Sequence, residues 1–326
     1  MRTGKVALLA TTILVTGISS AKADLNVMAS IKPIHSLVSS VMNGVGSPGL
    51  IIEGAGSPHT YALKPSQAAQ LQDADLIFWV GHDLETFLEK PLEGLASDAK
   101  AVELTEAHDL KLIKFREGGA FDSHDHDDHD KHDDHDKHDD HDKHDDHNDH
   151  GGHGHDGFDP HVWLDPVNAK AIVHEIEEVL VKADPANAQT YETNAEKTMA
   201  NLDALVEEID AELKPVRGKG YIVFHDAYQY FEQRFGVSAV GSITVSPEIL
   251  PGAKRVSELQ AKVQSLNATC VFSEPQFEPK LVSTITENTN ARTGVLDPLG
   301  VAIEKGPEMY FTLIRNMARA LKDCLS

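Results

Sequence analysis

One stripe of residues in mid-chain restricts the fold more than any other feature. Tyr191, Ala195, Thr198, Leu202, Leu205, Ile209 and Leu213 are spaced by four and three. That spacing puts all seven on one face of a helix opened by Pro185 and continuing to about Lys214. At 1.5 Å per residue it spans ~45 Å, enough to cross a domain pair. Short apolar runs alternate with helical stretches on either side of it. Before it, strands are expected at Leu25–Ala29, Leu50–Ile52 and Ala74–Val80, with weak ones at Val102–Leu104 and Lys111–Phe115. After it come Tyr221–Phe224, Val237–Ile243, Thr269–Ser273 and Gly294–Leu296, each followed by a helix. Strand alternating with helix implies a parallel sheet covered on both faces. The expected fold is therefore α/β, with two lobes, each a mostly parallel sheet flanked by helices, joined by one long rigid helix. The expected boundaries are 24–184 for the first lobe, 185–215 for the linking helix and 216–326 for the second lobe.

Two segments stand outside this plan. Arg2 and Lys5 precede an apolar stretch, Val6–Ile18, and then Ala21-Lys22-Ala23. This reads as a signal peptide, residues 1–23, whose apolar part is too short to span a membrane. No cysteine sits at the cleavage point, which counts against a lipid anchor. The second segment is an insertion, residues 119–157, expected to be disordered because it holds almost nothing apolar to bury. It carries His124, His126, His129, His132, His135, His138, His141, His144, His147, His150, His153 and His155. From His126 to His153 they recur at every third position. Period three matches no single helical face, and in an extended polyproline-like chain it spaces the rings ~9 Å apart. A flexible loop that folds locally around metal, with several weak sites, is expected. Fifteen aspartates and three lysines between Asp122 and Asp156 supply −12 of the formal charge of −23. That acidity excludes nucleic acid as a natural partner and favours cations.

Seven histidines lie outside the insertion. His35 and His174 fall on helical stretches, and His82 follows a strand much as a structural histidine does. His59 lies in the loop after Ile51-Ile52. His161 lies in a tight turn, and His225 directly follows Tyr221–Phe224. Asp297 directly follows Val295-Leu296. Ligands of open α/β sheets bind outside the carboxyl ends of strands. Three imidazoles and a carboxylate suit tetrahedral zinc. Cys270 and Cys324 are the only cysteines, and in an oxidising compartment they are expected to pair.

Four motifs occur in order: Ser57-Pro58-His59-Thr60-Tyr61 with Pro65-Ser66, Phe158-Asp159-Pro160-His161-Val162-Trp163-Leu164-Asp165-Pro166, Phe224-His225-Asp226-Ala227-Tyr228, and Leu296-Asp297-Pro298-Leu299-Gly300. In this the chain resembles the metal-binding solute-binding proteins of ABC importers (cluster A-I, or cluster 9), over essentially its whole mature length. The resemblance implies a periplasmic receptor that binds metal at His59, His161 and His225, with Asp297 or a water in the fourth place. It implies delivery of the ion to an inner-membrane permease by a monomer that is not itself inserted in the membrane. A histidine-rich insertion in the same place is also seen in Gram-negative members, and the two cysteines resemble the pair of the zinc branch. The manganese branch usually has a carboxylate where His225 stands, and by ligand softness the imidazole favours zinc. The alternatives are a manganese or nickel receptor, an adhesin-like surface protein, or an enzyme. Three histidines with an open position also suit a zinc hydrolase or lyase, for which Glu274 is the one strand-end acid available as a base.

Overall fold

The computed structural model describes residues 25–116, 121, 157–244, 253–265, 269–277 and 279–326. The expected leader, 1–23, and the twelve-histidine segment, 124–155, lie outside the described residues. In the first lobe, β1 (Val27–Ala29), β2 (Gly49–Leu50), β3 (Leu76–Trp79) and β4 (Lys100–Glu103) form a parallel sheet in the order β2-β1-β3-β4. All four residues of β3 are buried, as its unbroken apolar run requires of a strand covered on both faces. Around this sheet lie α1 (Lys32–Val41), α2 (Pro65–Gln72), α3 (Thr86–Gly94) and α4 (Pro166–Ala183). Both α1 and α2 carry a proline in their first turn, where the missing N–H costs nothing. The Asp165 side chain caps α4 by accepting from the Val167 N–H at 2.8 Å.

The second lobe repeats the arrangement. Its strands β5 (Tyr221–His225), β6 (Ala239–Thr244), β7 (Cys270–Ser273) and β8 (Arg292–Val295) are parallel in the order β6-β5-β7-β8. Its helices are α6 (Gln229–Phe235), α7 (Ala253–Ser265), α8 (Pro279–Thr286) and α9 (Met309–Leu325). In both sheets the first strand lies between the second and the third. The chain therefore reverses direction of travel at β1 and at β5, and the carboxyl ends of those strands are where a crevice opens.

Between the lobes runs α5 (Ala188–Leu213), 26 residues and so ~39 Å long. It begins three residues later than predicted, because Pro185–Asn187 forms a 3₁₀ turn. All seven stripe positions are buried, against α1 and α4 of the first lobe and α9 of the second. One apolar core accordingly runs through both lobes. Hydrogen bonds add to it. The Lys32 ammonium donates to the carbonyls of Gly300, Val301 and Ile303 at 3.0, 2.8 and 2.7 Å. Ser36 donates to the Gly306 carbonyl at 2.7 Å and accepts from the Tyr310 N–H at 2.9 Å. Cys270 and Cys324 form a disulfide joining β7 to α9 across 54 residues, worth about 4 kcal/mol in the chain-entropy description. No helix among the described residues is long and apolar enough to cross a membrane.

The weak strand expected at Lys111–Phe115 is reduced to a single antiparallel bridge between Lys114 and Phe158. Its partner is the segment on the far side of the insertion, too short to extend a ladder. The Phe115 N–H donates to the Gly157 carbonyl at 3.0 Å and the Asp159 N–H to the Ile113 carbonyl at 2.8 Å. These contacts make a stem from which the chain runs straight into His161.

Candidate metal centre

His225 is the last residue of β5, so it stands at the carboxyl edge of the second sheet, at the point where strand order reverses. His161 sits at the head of a 3₁₀ turn, Val162–Leu164, buried and braced by fully buried Trp163, whose indole donates to the Pro298 carbonyl at 2.9 Å. His59 lies in the loop after β2 and is half-buried. The structure brings these three together. One ligating atom of each lies within 4.8 Å of the others. The ring centroids are 5.3, 5.4 and 5.7 Å apart. They line a small cleft between the lobes, with Ser57, Pro58, Glu274, Gln276, Phe277, Pro298 and Leu299.

The orientation of the rings is fixed from behind. His161 Nδ1 lies 2.7 Å from Asp159 Oδ1, and His225 Nδ1 lies 2.7 Å from Glu274 Oε1. Both carboxylates are buried. Asp159 also accepts from the His161 N–H at 3.0 Å and from Gln229 at 3.1 Å. With each Nδ1 held by a carboxylate, each Nε2 faces the cleft, and the two Nε2 atoms are 3.4 Å apart. Two nitrogens bound to one tetrahedral zinc at ~2.0–2.1 Å are separated by about 3.3–3.4 Å. The two spacings agree. A carboxylate behind a ligating imidazole fixes the tautomer and strengthens the ligand.

Electrostatics follow burial. Desolvation holds the His161 imidazole well below its ordinary pKa, and the neighbouring His225 adds to this. Desolvation also pulls His225 down, but the carboxylates of Glu274, Asp159 and Asp226 together more than offset it and the ring ends above its ordinary value. Burial pushes the Asp159 carboxyl up to about 7.

The structure does not bring Asp297 into this group. Its Oδ1 accepts from Gln276 Nε2 at 3.1 Å and from the N–H groups of Leu299 and Gly300 at 3.2 and 2.9 Å. Its Oδ2 accepts from the Val301 N–H at 2.6 Å. The carboxylate organises its own loop, in which Gly300 takes φ +66°, a conformation L side chains rarely adopt. The other described histidines stand apart. His35 lies 3.1 Å from the Pro48 carbonyl, His82 pairs with Glu103 at 3.0 Å, His108 is exposed, and His174 is on the exposed face of α4 beside Glu177. Asp159 was not singled out from the sequence, and Glu274 was noted there only as a candidate base, not as the support behind His225. Glu274 had a signal, since it immediately follows β7; Asp159 had only its place two residues before His161.

Residues 27–324 match the family model for the zinc-uptake complex component A, periplasmic. The chain is 58% identical over 305 residues to the high-affinity zinc uptake system protein ZnuA of Brucella suis, covering 92% of this chain and 91% of that protein. It is 34% identical over 308 residues to the protein of the same name from Yersinia pestis, covering 93% and 92%. Among solved structures it resembles ZnuA, with a TM-score of 0.72 at 22% identity over 93% of this chain and all of that one. It also resembles the laminin-binding protein Lmb of Streptococcus agalactiae, described as an adhesin with metal-transporting activity, with a TM-score of 0.70 at 25% identity over 93% of this chain and all of that one. The family model spans nearly all of the described chain and the named relatives match it over nine-tenths of their length, so the chain belongs to the periplasmic zinc-uptake component A family.

Proposed function

We propose that this chain is the periplasmic zinc receptor of an ABC importer, holding one zinc ion through His59, His161 and His225. The observation that carries the reading is the 3.4 Å approach of two buried Nε2 atoms whose Nδ1 atoms are both spent on carboxylates. Oriented imidazoles in a site of low exposure bind zinc in preference to manganese, which favours oxygen ligands. Asp297 serves as the organiser of the Pro298–Val301 loop that walls the cleft, not as the fourth ligand. The ion is passed to an inner-membrane permease, and the receptor acts as a monomer. Residues 124–155 act as an auxiliary capture segment whose weak sites raise the local zinc concentration. Glu274 supports His225 as a ligand, a use that leaves it poorly placed as the general base of a hydrolase.

Metal analysis and zinc titration of the purified chain test this. One tight site is expected, abolished by His225→Ala, and deletion of 124–155 should remove weak sites while leaving the tight one. Retention of the tight site in His225→Ala would contradict the reading, and equal stoichiometry with and without the segment would contradict the capture role.

A further inference from the structure

We propose that Arg116 is a positioning residue of the metal centre, clamping the turn that carries His225 in the second lobe to the stem that carries His161 in the first. The inference rests on the three-histidine reading. Arg116 Nε donates to Asp226 Oδ2 at 3.0 Å, and its Nη2 donates to Asp226 Oδ1. Its Nη1 donates to Glu232 Oε2 at 2.7 Å. The guanidinium fork is therefore bidentate to Asp226 and still reaches a second carboxylate, a geometry that lysine cannot copy. The side chains of Arg116, Asp226 and Glu232 are 22%, 11% and 4% exposed, so these are partly desolvated, charge-assisted contacts rather than surface pairs. The Phe121 ring lies 3.9 Å from the guanidinium.

What gives the clamp a functional meaning is where its ends are attached. Asp226 is the residue after His225, in a turn closed by the Ala227 N–H on the His225 carbonyl at 3.0 Å. Glu232 lies on α6, which leads away from that turn. At the other end, Arg116 belongs to the stem in which Phe115 pairs with Gly157 and Ile113 with Asp159. Asp159 in turn orients His161. Further contacts cross the same seam: the Tyr230 hydroxyl donates to the Asp159 carbonyl at 2.7 Å and accepts from the Ile113 N–H at 3.1 Å, Gln229 donates to Asp159 at 3.1 Å, Lys111 donates to Gln233 at 3.0 Å, and Arg234 pairs with Asp165 at 2.7 Å through both Nε and Nη2. Of these groups, Arg116 is the one that grips the His225 turn itself. It sets how far apart the two Nε2 atoms can move, and so the cost of holding the ion.

The test uses the full chain in three variants. Arg116→Met removes the clamp and leaves two buried carboxylates unpaired. Arg116→Met combined with Asp226→Asn and Glu232→Gln removes the clamp without that charge penalty. Arg116→Lys keeps the charge without the fork. Zinc affinity and off-rate are measured by chelator competition, and the site geometry by the visible absorption of the cobalt(II)-loaded protein. The expected result is a roughly tenfold weaker zinc affinity in the triple variant, mostly through a faster off-rate, with an altered cobalt spectrum. A smaller loss is expected in the lysine variant. Apo-protein melting should recover in the triple variant relative to Arg116→Met while affinity does not. Wild-type affinity and an unchanged cobalt spectrum in either the triple or the lysine variant would overturn the proposal. Failure of the three-histidine reading would show separately, as tight zinc binding that survives His161→Ala.

Discussion

Replacing Asp297 by asparagine separates two roles that a carboxylate at a strand end can play. In the structure its two oxygens accept four hydrogen bonds, three from backbone N–H groups of Leu299, Gly300 and Val301 and one from Gln276. Asparagine keeps one acceptor oxygen and turns the other into a donor. The bond from the Val301 N–H, the shortest of the four at 2.6 Å, is lost or inverted. A charge-assisted bond of this kind contributes about 1.5–3 kcal/mol. The negative charge that accompanies Lys32 at the same loop goes with it. For a chain of this size each kcal/mol lowers the melting temperature by roughly 2–4 °C. The apo protein should therefore melt about 3–12 °C lower. Zinc affinity should change by no more than about threefold, because the three imidazoles and their carboxylates are untouched. If Asp297 were the fourth ligand the pattern would be reversed. Loss of a ligand should exceed the 10–100-fold typical of an outer-shell partner, with little change in apo melting. Thermal melting of the zinc-free protein and competition with a chromophoric chelator, on the same samples, distinguish the two. A loss of about 100-fold or more in affinity would refute the loop-organising role.

Two further outcomes follow from buried carboxyl groups. Glu274→Gln preserves the shape behind His225 but removes the charge that strengthens it as a ligand, and should weaken zinc binding by about 10–100-fold in the same competition assay; a change below twofold would count against its role. Glu85, fully buried at the head of α3 and accepting from the Gly81 N–H at 3.0 Å, has its carboxyl pushed by burial from 4.5 up to about 7. Between those values the folded chain keeps a proton that the unfolded chain releases, so stability falls as pH rises through this window and the full penalty is present above about 7. Glu85→Gln should then be more stable than the parent by up to about 3 kcal/mol at pH 8 and no more stable at pH 4, as read from denaturant midpoints. Asp159, which titrates in the same range, is common to both proteins and cancels in the difference. An advantage independent of pH would refute the assignment.

The sequence carried the architecture because its signals are periodic and local. The seven-residue stripe from Tyr191 to Leu213 is buried at every position, and the strand–helix alternation returns as two sheets of identical strand order. The clustering of His59, His161 and His225 was legible from their strand-end and turn positions taken together with the four ordered motifs that carry the family resemblance. What was not legible depends on contacts distant in sequence. Glu274 meets His225 across 49 residues, and Arg116 meets Asp226 across 110; neither pair leaves a periodic trace. Asp297 shows the opposite problem. Three of its four partners are two to four residues ahead, and an aspartate before Pro298 with Gly300 following is as much a turn signal as a ligand signal. Lys111–Phe115 has strand-like composition, but its partner across the insertion offers too few residues for a ladder, and one bridge forms instead.

The most direct test is the coordination of zinc itself. X-ray absorption at the zinc edge, on full-length protein loaded with one equivalent so that the tightest site fills first, counts the imidazoles around the ion. Three imidazole nitrogens at ~2.0–2.1 Å with light-atom completion of the shell are expected, reduced to two in His161→Ala. A shell with fewer than three imidazoles, or one unchanged by that substitution, would contradict the assignment of the centre to His59, His161 and His225.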